Sequence, residues 1–308
     1  MPRHPRARVL TATALSALVV LPALTALALL AGPDGPADER PPPPLPRATG
    51  PATAEDRLLH DAEQRLLRDC MARHGFVYRV FPLDDVPEAR TFAYVLDDAA
   101  WAGRHGYGSE LRRRQRELAR TDPNRAYFAA LPAARKAAAL VAANGPSPDG
   151  LTVRLPGGGT VRRSDRGCVA ESRRLLYGDG GAWFRASNRV EALEQLRRGR
   201  VTAEAVYGAR LDAWRVCMRR AGHPYAAPAD ARDAALSPVR PLGERREVAL
   251  ALAEVRCGAE SGLARTAREL DDRHGRLLAR EYRADVETRE RLRAAALPRA
   301  RLVLASGS

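Results

Sequence analysis

Over most of this chain apolar residues recur every three to four positions, the spacing of helices that bury one face. Leu59, Ala62, Leu66 and Cys70 mark the first, predicted over Glu55–His74 and closed by Gly75, where a left-handed C-cap is expected. Phe76–Tyr78 then leave in extended form, and Pro82 with Asp84 and Asp85 marks a turn. A helix is predicted over Arg90–Gly103. The glycines of His105–Gly108 break it, and Ser109 is placed as the cap of a very basic helix through Ala119. Asp122–Pro123 pairs an N-cap with proline at the first helical position, and Pro132 opens an alanine-rich helix that ends at Asn144–Gly145.

The period then changes. Leu151, Val153 and Leu155 alternate with Thr152 and Arg154, and Val161 resumes after Pro156–Gly159, which predicts one β-hairpin near residues 151–163. Helical spacing returns from Gly167–Cys168 to Tyr177, is stopped by Gly178–Gly181, and resumes as a short helix over Arg189–Arg198. Thr202–Ala221 carries Tyr207, Leu211, Trp214 and Met218 on one face, with Gly222 after it. From Glu244 helix is predicted almost to Leu297, with a break at Gly258 and Gly262 beside Cys257. Leu263, Leu270, Leu277, Leu278 and Val286 form an apolar seam expected to pack back on the domain rather than on a second chain.

Two stretches depart from this pattern. Val9–Leu30 carries no charge and follows Arg3, Arg6 and Arg8, the order of an export signal. At roughly 1.5 Å per residue the run also matches a hydrocarbon core of roughly 30 Å, so a retained anchor fits as well as a cleaved signal. Either way the flanking arginines put the rest of the chain on the outer side of the membrane. Leu30–Gly32 resembles the start of a lipobox, but Pro33 stands where the lipid-bearing cysteine belongs, which excludes a lipoprotein. Residues 33–54 include Pro41–Pro44 and read as a semi-rigid, disordered spacer.

The four cysteines form a two-part echo. Cys70-Met71-x3-Gly75-x2-Tyr78 returns as Cys217-Met218-x3-Gly222-x2-Tyr225. Cys168 opens CVAES and Cys257 opens CGAES. Outside the membrane thiols oxidise. Of three possible pairings, the repeat favours Cys70–Cys168 and Cys217–Cys257. Zinc sites bring cysteines in close pairs, and here each stands alone, so no metal site is expected. Met71 and Met218 are expected to pack beside their disulfides. The fold class is therefore mainly α: a disulfide-stapled helical domain with an internal two-fold repeat, one small hairpin and a long C-terminal helix. Residues 1–32 are the signal or anchor, 33–54 the linker, 55–200 a first helical half and 201–308 a second.

Composition narrows the function classes. Aromatic residues are 5% of the chain, so the core rests on Leu, Ala and Val. The formal net charge is +14. Lys136 is the only lysine, and the arginines are interleaved with Asp and Glu and accompanied by abundant Ala, Gly and Pro, a set that shares GC-rich codons. Codon usage thus explains the basicity better than nucleic-acid binding does, and no nucleic-acid partner is expected. The charge still implies attraction to anionic cell-envelope polymers or lipid headgroups. Another envelope protein is an alternative partner.

The sequence offers little catalytic chemistry. His60, His74, His105, His223 and His274 fall in no metalloprotease, hydrolase or phosphate-loop motif. Gly157–Gly159 forms a turn rather than a phosphate cradle, because no helix opening with Lys-Ser/Thr follows. No cofactor is expected. Glu171 and Glu260 hold matching places, three residues after Cys168 and Cys257. They are the candidate catalytic pair of a cell-wall hydrolase, which requires them within about 5–9 Å of each other across one cleft. The alternative is a repeated structural contact, to an arginine or a backbone N–H. The leading expectation is a non-enzymatic extracytoplasmic binding or envelope-associated module, secreted or anchored. A sensor signalling through a retained anchor is a further alternative.

The words CMARHGFVY, DPNRAYFAALPAAR, GCVAESRRLLYGD and VCMRRAGHPY, spread from about Leu59 to Leu263, resemble a group of uncharacterised exported proteins of high-GC actinobacteria. The resemblance implies a disulfide-stabilised helical domain outside the membrane. It transfers no catalytic residue.

Overall fold

A computed structural model describes residues 41–45, 52–83 and 86–306. The expected signal or anchor over residues 1–32, most of the expected spacer, and Asp84 and Asp85 of the expected turn lie outside the described residues. Pro41–Ser308 forms one compact unit. It is mainly helical, as the periodicity predicts.

Helix α1 (Ala54–Arg73) starts on a reciprocal cap, in which Asp56 N–H donates to Thr53 Oγ1 and Thr53 N–H to Asp56 Oδ2. Helix α2 is Ala99–His105, α3 Ser109–Arg120, α4 Pro123–Ala130 and α5 Ala133–Asn144. Strands β1 (Gly150–Arg154) and β2 (Thr160–Ser164) pair antiparallel with Val153 opposite Val161, the predicted hairpin. Helices α6 (Cys168–Tyr177), α7 (Gly180–Thr202), α8 (Ala205–Arg220), α9 (Pro228–Ala235) and α10 (Glu244–Glu260) follow. Helices α11 (Leu263–Glu281) and α12 (Arg283–Ala305) close the chain.

Several boundaries differ from the sequence reading. The helix expected over Arg90–Gly103 begins only at Ala99, capped by Asp98, which accepts from Trp101 N–H. The irregular segment before it buries the adjacent Val95 and Leu96 and gives the Leu96 N–H to Glu254. Tertiary partners there replace the helical ones. Ser109 does not cap α3. Gly108 does, in the left-handed conformation, while the Ser109 hydroxyl donates to Glu247. Gly180 and Gly181 begin α7 rather than stopping the chain, because Asp179 accepts from Ala182 N–H. The short helix expected over 189–198 is thus the middle of a long one. Thr202 ends that helix rather than starting the next.

Gly258 lies inside α10, where an added Cβ would stand 3.1 Å from Val95 Cγ2. It is a close-packing position, and only Gly262 makes the break. A second break at Tyr282 separates α11 from α12, which runs past Leu297 with Pro298 inside it.

The packing joins distant parts of the chain. One cluster holds Leu59 and Ala62 of α1, Leu176 and Tyr177 of α6, and Ala296 and Ala300 of α12. The largest cluster combines Val95, Leu96 and Trp101 with Trp214, Met218, Leu250 and Leu263. Side chains from both sides of residue 200 therefore build both, and residue 200 itself lies within α7. Leu270, Leu278 and Val286 of the predicted seam are buried within the chain, whereas Leu277 is exposed. Helix α3 is a strut. Leu111 near its start enters the largest core, and Phe128 and Leu131 beyond its end pack on the small cluster of Cys70, Met71, Phe76, Ala139 and Cys168.

Candidate functional site

The two cysteine stations are built alike. Cys70 bonds Cys168, and Cys217 bonds Cys257, with Cα–Cα distances of 5.5 Å in both. Each first cysteine sits one turn before a helix end closed by the same pair of bonds. Gly75 N–H donates to Ala72 O and Phe76 N–H to Met71 O, and likewise Gly222 N–H to Arg219 O and His223 N–H to Met218 O. Gly75 and Gly222 have φ of 74° and 82°, a conformation costly for any residue with a Cβ. This explains why the cysteine–glycine spacing repeats.

Glu171 and Glu260 also occupy equivalent places. Glu171 pairs with Arg73, and Glu260 Oε1 accepts from Arg220 at 2.6 Å. In both stations the second carboxylate oxygen lies 3.4 Å from the first cysteine's sulfur. That sulfur is in a disulfide and has no proton to donate. Arginine and glutamate each stand one helical turn beyond a cysteine, so closing the disulfide brings them together. The two arginines were missed in the sequence, although Cys-Met-x-Arg occurs in both copies. The structure thus commits each carboxylate to its own station. The open hollow lined by Glu171, with His74, Arg135 and Arg166, does not include Glu260. Cys70, Cys168 and His74 bring their ligand atoms within 4.8 Å of one another, but disulfide sulfurs are not thiolates and make poor metal ligands.

Two acidic residues that sequence reasoning missed are buried on α10. Glu247 accepts from the Tyr107 and Ser109 N–H groups at 2.8 and 3.0 Å and from the Ser109 hydroxyl. Glu254, fully buried, accepts from Leu96 N–H at 2.7 Å and from the Tyr107 hydroxyl. Burial pushes the Glu254 carboxyl above the usual range, against the lowering effect of those two donors and Arg232. Burial, then the charge of Glu254, pushes the Tyr107 phenol up. A signal was present: residues 247, 250, 251, 254, 257 and 258 form one helical face, and two of them are Glu. These carboxylates fix the irregular segment 90–98 and the start of α3.

That segment forms one wall of a cleft of about 370 Å³, with α7 and α11 opposite. Val95, Ala264 and Ala267 are its buried apolar lining. Around them stand arginine–carboxylate pairs. Arg197 Nε lies 3.0 Å from Asp271 Oδ1, an ion pair too poorly aligned to be a hydrogen bond, and Arg197 is only 6% exposed. The Tyr94 hydroxyl donates to the same Asp271 oxygen at 2.6 Å, and burial followed by that carboxylate pushes the phenol up. Arg268 pairs with Asp97 and Arg90 with Asp98 at the more exposed positions. The polar lining of the cleft is mainly arginine and carboxylate, with Thr91 and Tyr94 beside them.

Among the described residues no helix is long and apolar enough to cross a membrane; the run at Val9–Leu30 lies outside them. Neither a protein-family model, nor a curated protein, nor a solved structure matches the chain.

Proposed function

We propose that the chain is an exported, non-enzymatic binding module of the cell envelope that takes a small zwitterionic, peptide-like ligand in the cleft between segment 90–98, α7 and α11. The observation that carries this reading is the ring of ion pairs around an apolar floor. Such a rim is nearly neutral and gives little attraction to a simple anion or cation. A ligand with both a carboxylate and an ammonium can exchange partners with the Arg268–Asp97 pair and leave no charge uncompensated. The two disulfides and the export-like N-terminus support placement in an oxidising compartment outside the membrane.

Calorimetric titration of the full chain with an unblocked dipeptide, and with the same dipeptide acetylated and amidated at its ends, tests the reading. Binding of the unblocked form alone is expected, weakened at least about tenfold by Asp97→Asn with Arg268→Gln, the scale of one lost charge-assisted contact. Equal binding of both forms, binding of neither, or hydrolysis of the dipeptide would overturn it.

A further inference from the structure

The strut α3 carries a one-sided charge. From Arg112 to Arg120 every residue is exposed, and Leu111 is the helix's one buried residue. At 100° per residue Arg112, Arg116, Arg120 and Arg113 fall within about a quarter of the circumference. Arg112, Arg116 and Arg120 form one row at i, i+4 and i+8, roughly 6 Å apart along the axis. Among the described residues the guanidinium groups of Arg112, Arg113 and Arg116 make no ion pair or hydrogen bond, and Arg120 reaches only Glu117, at 3.9 Å. Some arginines elsewhere are matched to acids, Arg173 with Glu63, Arg200 with Glu281 and Arg293 with Asp56, whereas this row is clustered on one helix face. Like charges at i and i+4 destabilise a helix, and among the described residues only Glu117 pairs with this row.

The groove beside this face continues the same chemistry. It is lined by Arg104, Arg112, Arg113 and Arg116. Its acids are already engaged in part, since Glu110 contacts His105 and Glu247 is occupied by the Tyr107 and Ser109 donors. Guanidinium groups match phosphate oxygens in a two-pronged geometry, so a row of phosphates is the complementary partner. The position of the chain selects among phosphate-bearing partners. The sequence before the unit holds an apolar run flanked by arginine, Val9–Leu30, which matches a bilayer's hydrocarbon core in length, so a bilayer is the phosphate-bearing surface this chain is equipped to meet.

We propose that the Arg112–Arg113–Arg116–Arg120 face of α3 docks on a bilayer surface that carries anionic phospholipid headgroups. The arginines lie on the surface without insertion, since that face carries no large apolar side chain. Docking is therefore electrostatic and sensitive to salt. Leu111 of the strut is seated in the largest core, so docking fixes the orientation of that core to the membrane.

Deuterium exchange of the full chain reconstituted in vesicles tests the proposal. One vesicle is phosphatidylcholine alone, and the other is equal parts phosphatidylcholine and phosphatidylglycerol. Exchange of the α3 amides is expected to be slower in the anionic vesicles only, and the difference to vanish in about 1 M NaCl, where screening acts within about 3 Å. Each of the four Arg→Gln substitutions is expected to weaken docking about fivefold. The combined variant should abolish the protection, while an unchanged melting temperature and intact disulfides show that it still folds. Equal exchange in the two vesicles overturns the proposal, as does protection that survives in the combined variant. Equal protection by soluble polyphosphate or by single-stranded nucleic acid, without charged vesicles, assigns the face to a soluble polyanion and also overturns it.

Discussion

The two cysteine stations share their covalent and hydrogen-bonded frame yet stand in different surroundings. Cys217 and Cys257 belong to the largest core, beside fully buried Trp214, Met218, Leu250 and Leu263. Cys70 and Cys168 belong to a small satellite with Met71, Phe76 and Ala139. One local motif therefore serves two purposes. In the second station it reinforces a core that apolar burial already holds. In the first it ties α1 to α6 at a small satellite, away from the cluster in which Leu59 and Ala62 meet Leu176 and Tyr177.

The largest test of this comparison is removal of each disulfide in turn. The first closes 98 residue steps and the second 40. Chain entropy sets upper losses of about 4.7 and about 3.9 kcal/mol respectively. Cys70→Ser with Cys168→Ser should lower the denaturation midpoint more than Cys217→Ser with Cys257→Ser. The reverse order would mean the satellite is not the weaker region. The paired methionines come next, with the opposite ranking. Met218→Ala is expected near the top of the range of about 2–5 kcal/mol for such core truncations and Met71→Ala near the bottom, because Met218 lies in the larger cluster.

The two regions should also answer pH with opposite signs. Buried Glu254 has a folded pKa above its ordinary 4.5, so the native state there holds more protons than the unfolded chain. Stability contributed by that region falls as pH rises from 4.5 through the raised value. At the start of α1, burial would raise the Asp56 pKa, but the Thr53 bonds and Arg293 outweigh it and hold it below 3.8. That contribution is complete above 3.8 and is lost only as pH falls through the lowered value. Denaturation of Glu254→Gln across pH should remove the alkaline-side loss and leave the acid-side loss in place. A variant whose profile parallels the natural one would refute the assignment.

Smaller effects should be equal in the two stations. Gly75→Ala and Gly222→Ala each force a Cβ into a left-handed turn, at about 1–2 kcal/mol, with no added clash because the nearest atom is 3.8 Å away at Gly75 and none lies within 4 Å at Gly222. Smallest are Arg73→Ala and Arg220→Ala. These side chains are 59% and 67% exposed, so each pair is worth at most about 1 kcal/mol and less in salt. Thermal melts at low and high ionic strength measure both. A loss well above that in either station would mean that its glutamate does more than pair with arginine.

Much of the scaffold was legible in the chain itself. The cysteine words and their spacing led to both disulfides, the 3.6 and 2.0 periods to the helices and hairpin, and the glycines after Cys70 and Cys217 to two helix ends. Less legible was anything set by a partner far along the chain. Residues 90–98 have helical composition, yet Glu254 and the surface at Gly258 draw them into an irregular wall. Ser109 has a capping side chain, yet Glu247 takes it. The cleft was invisible because its arginine–carboxylate pairs join segments as distant as Asp97 and Arg268.

Local periodicity, cap chemistry and cysteine spacing act within a few residues or through one covalent bond, so the sequence by itself determined the helices, the hairpin and the staples. Which glutamates are buried, which arginines are left without partners, and where a cleft opens depend on free energies gained only when distant side chains meet. The tertiary structure alone decided those, because a charge can be buried or exposed without any change in the residues beside it.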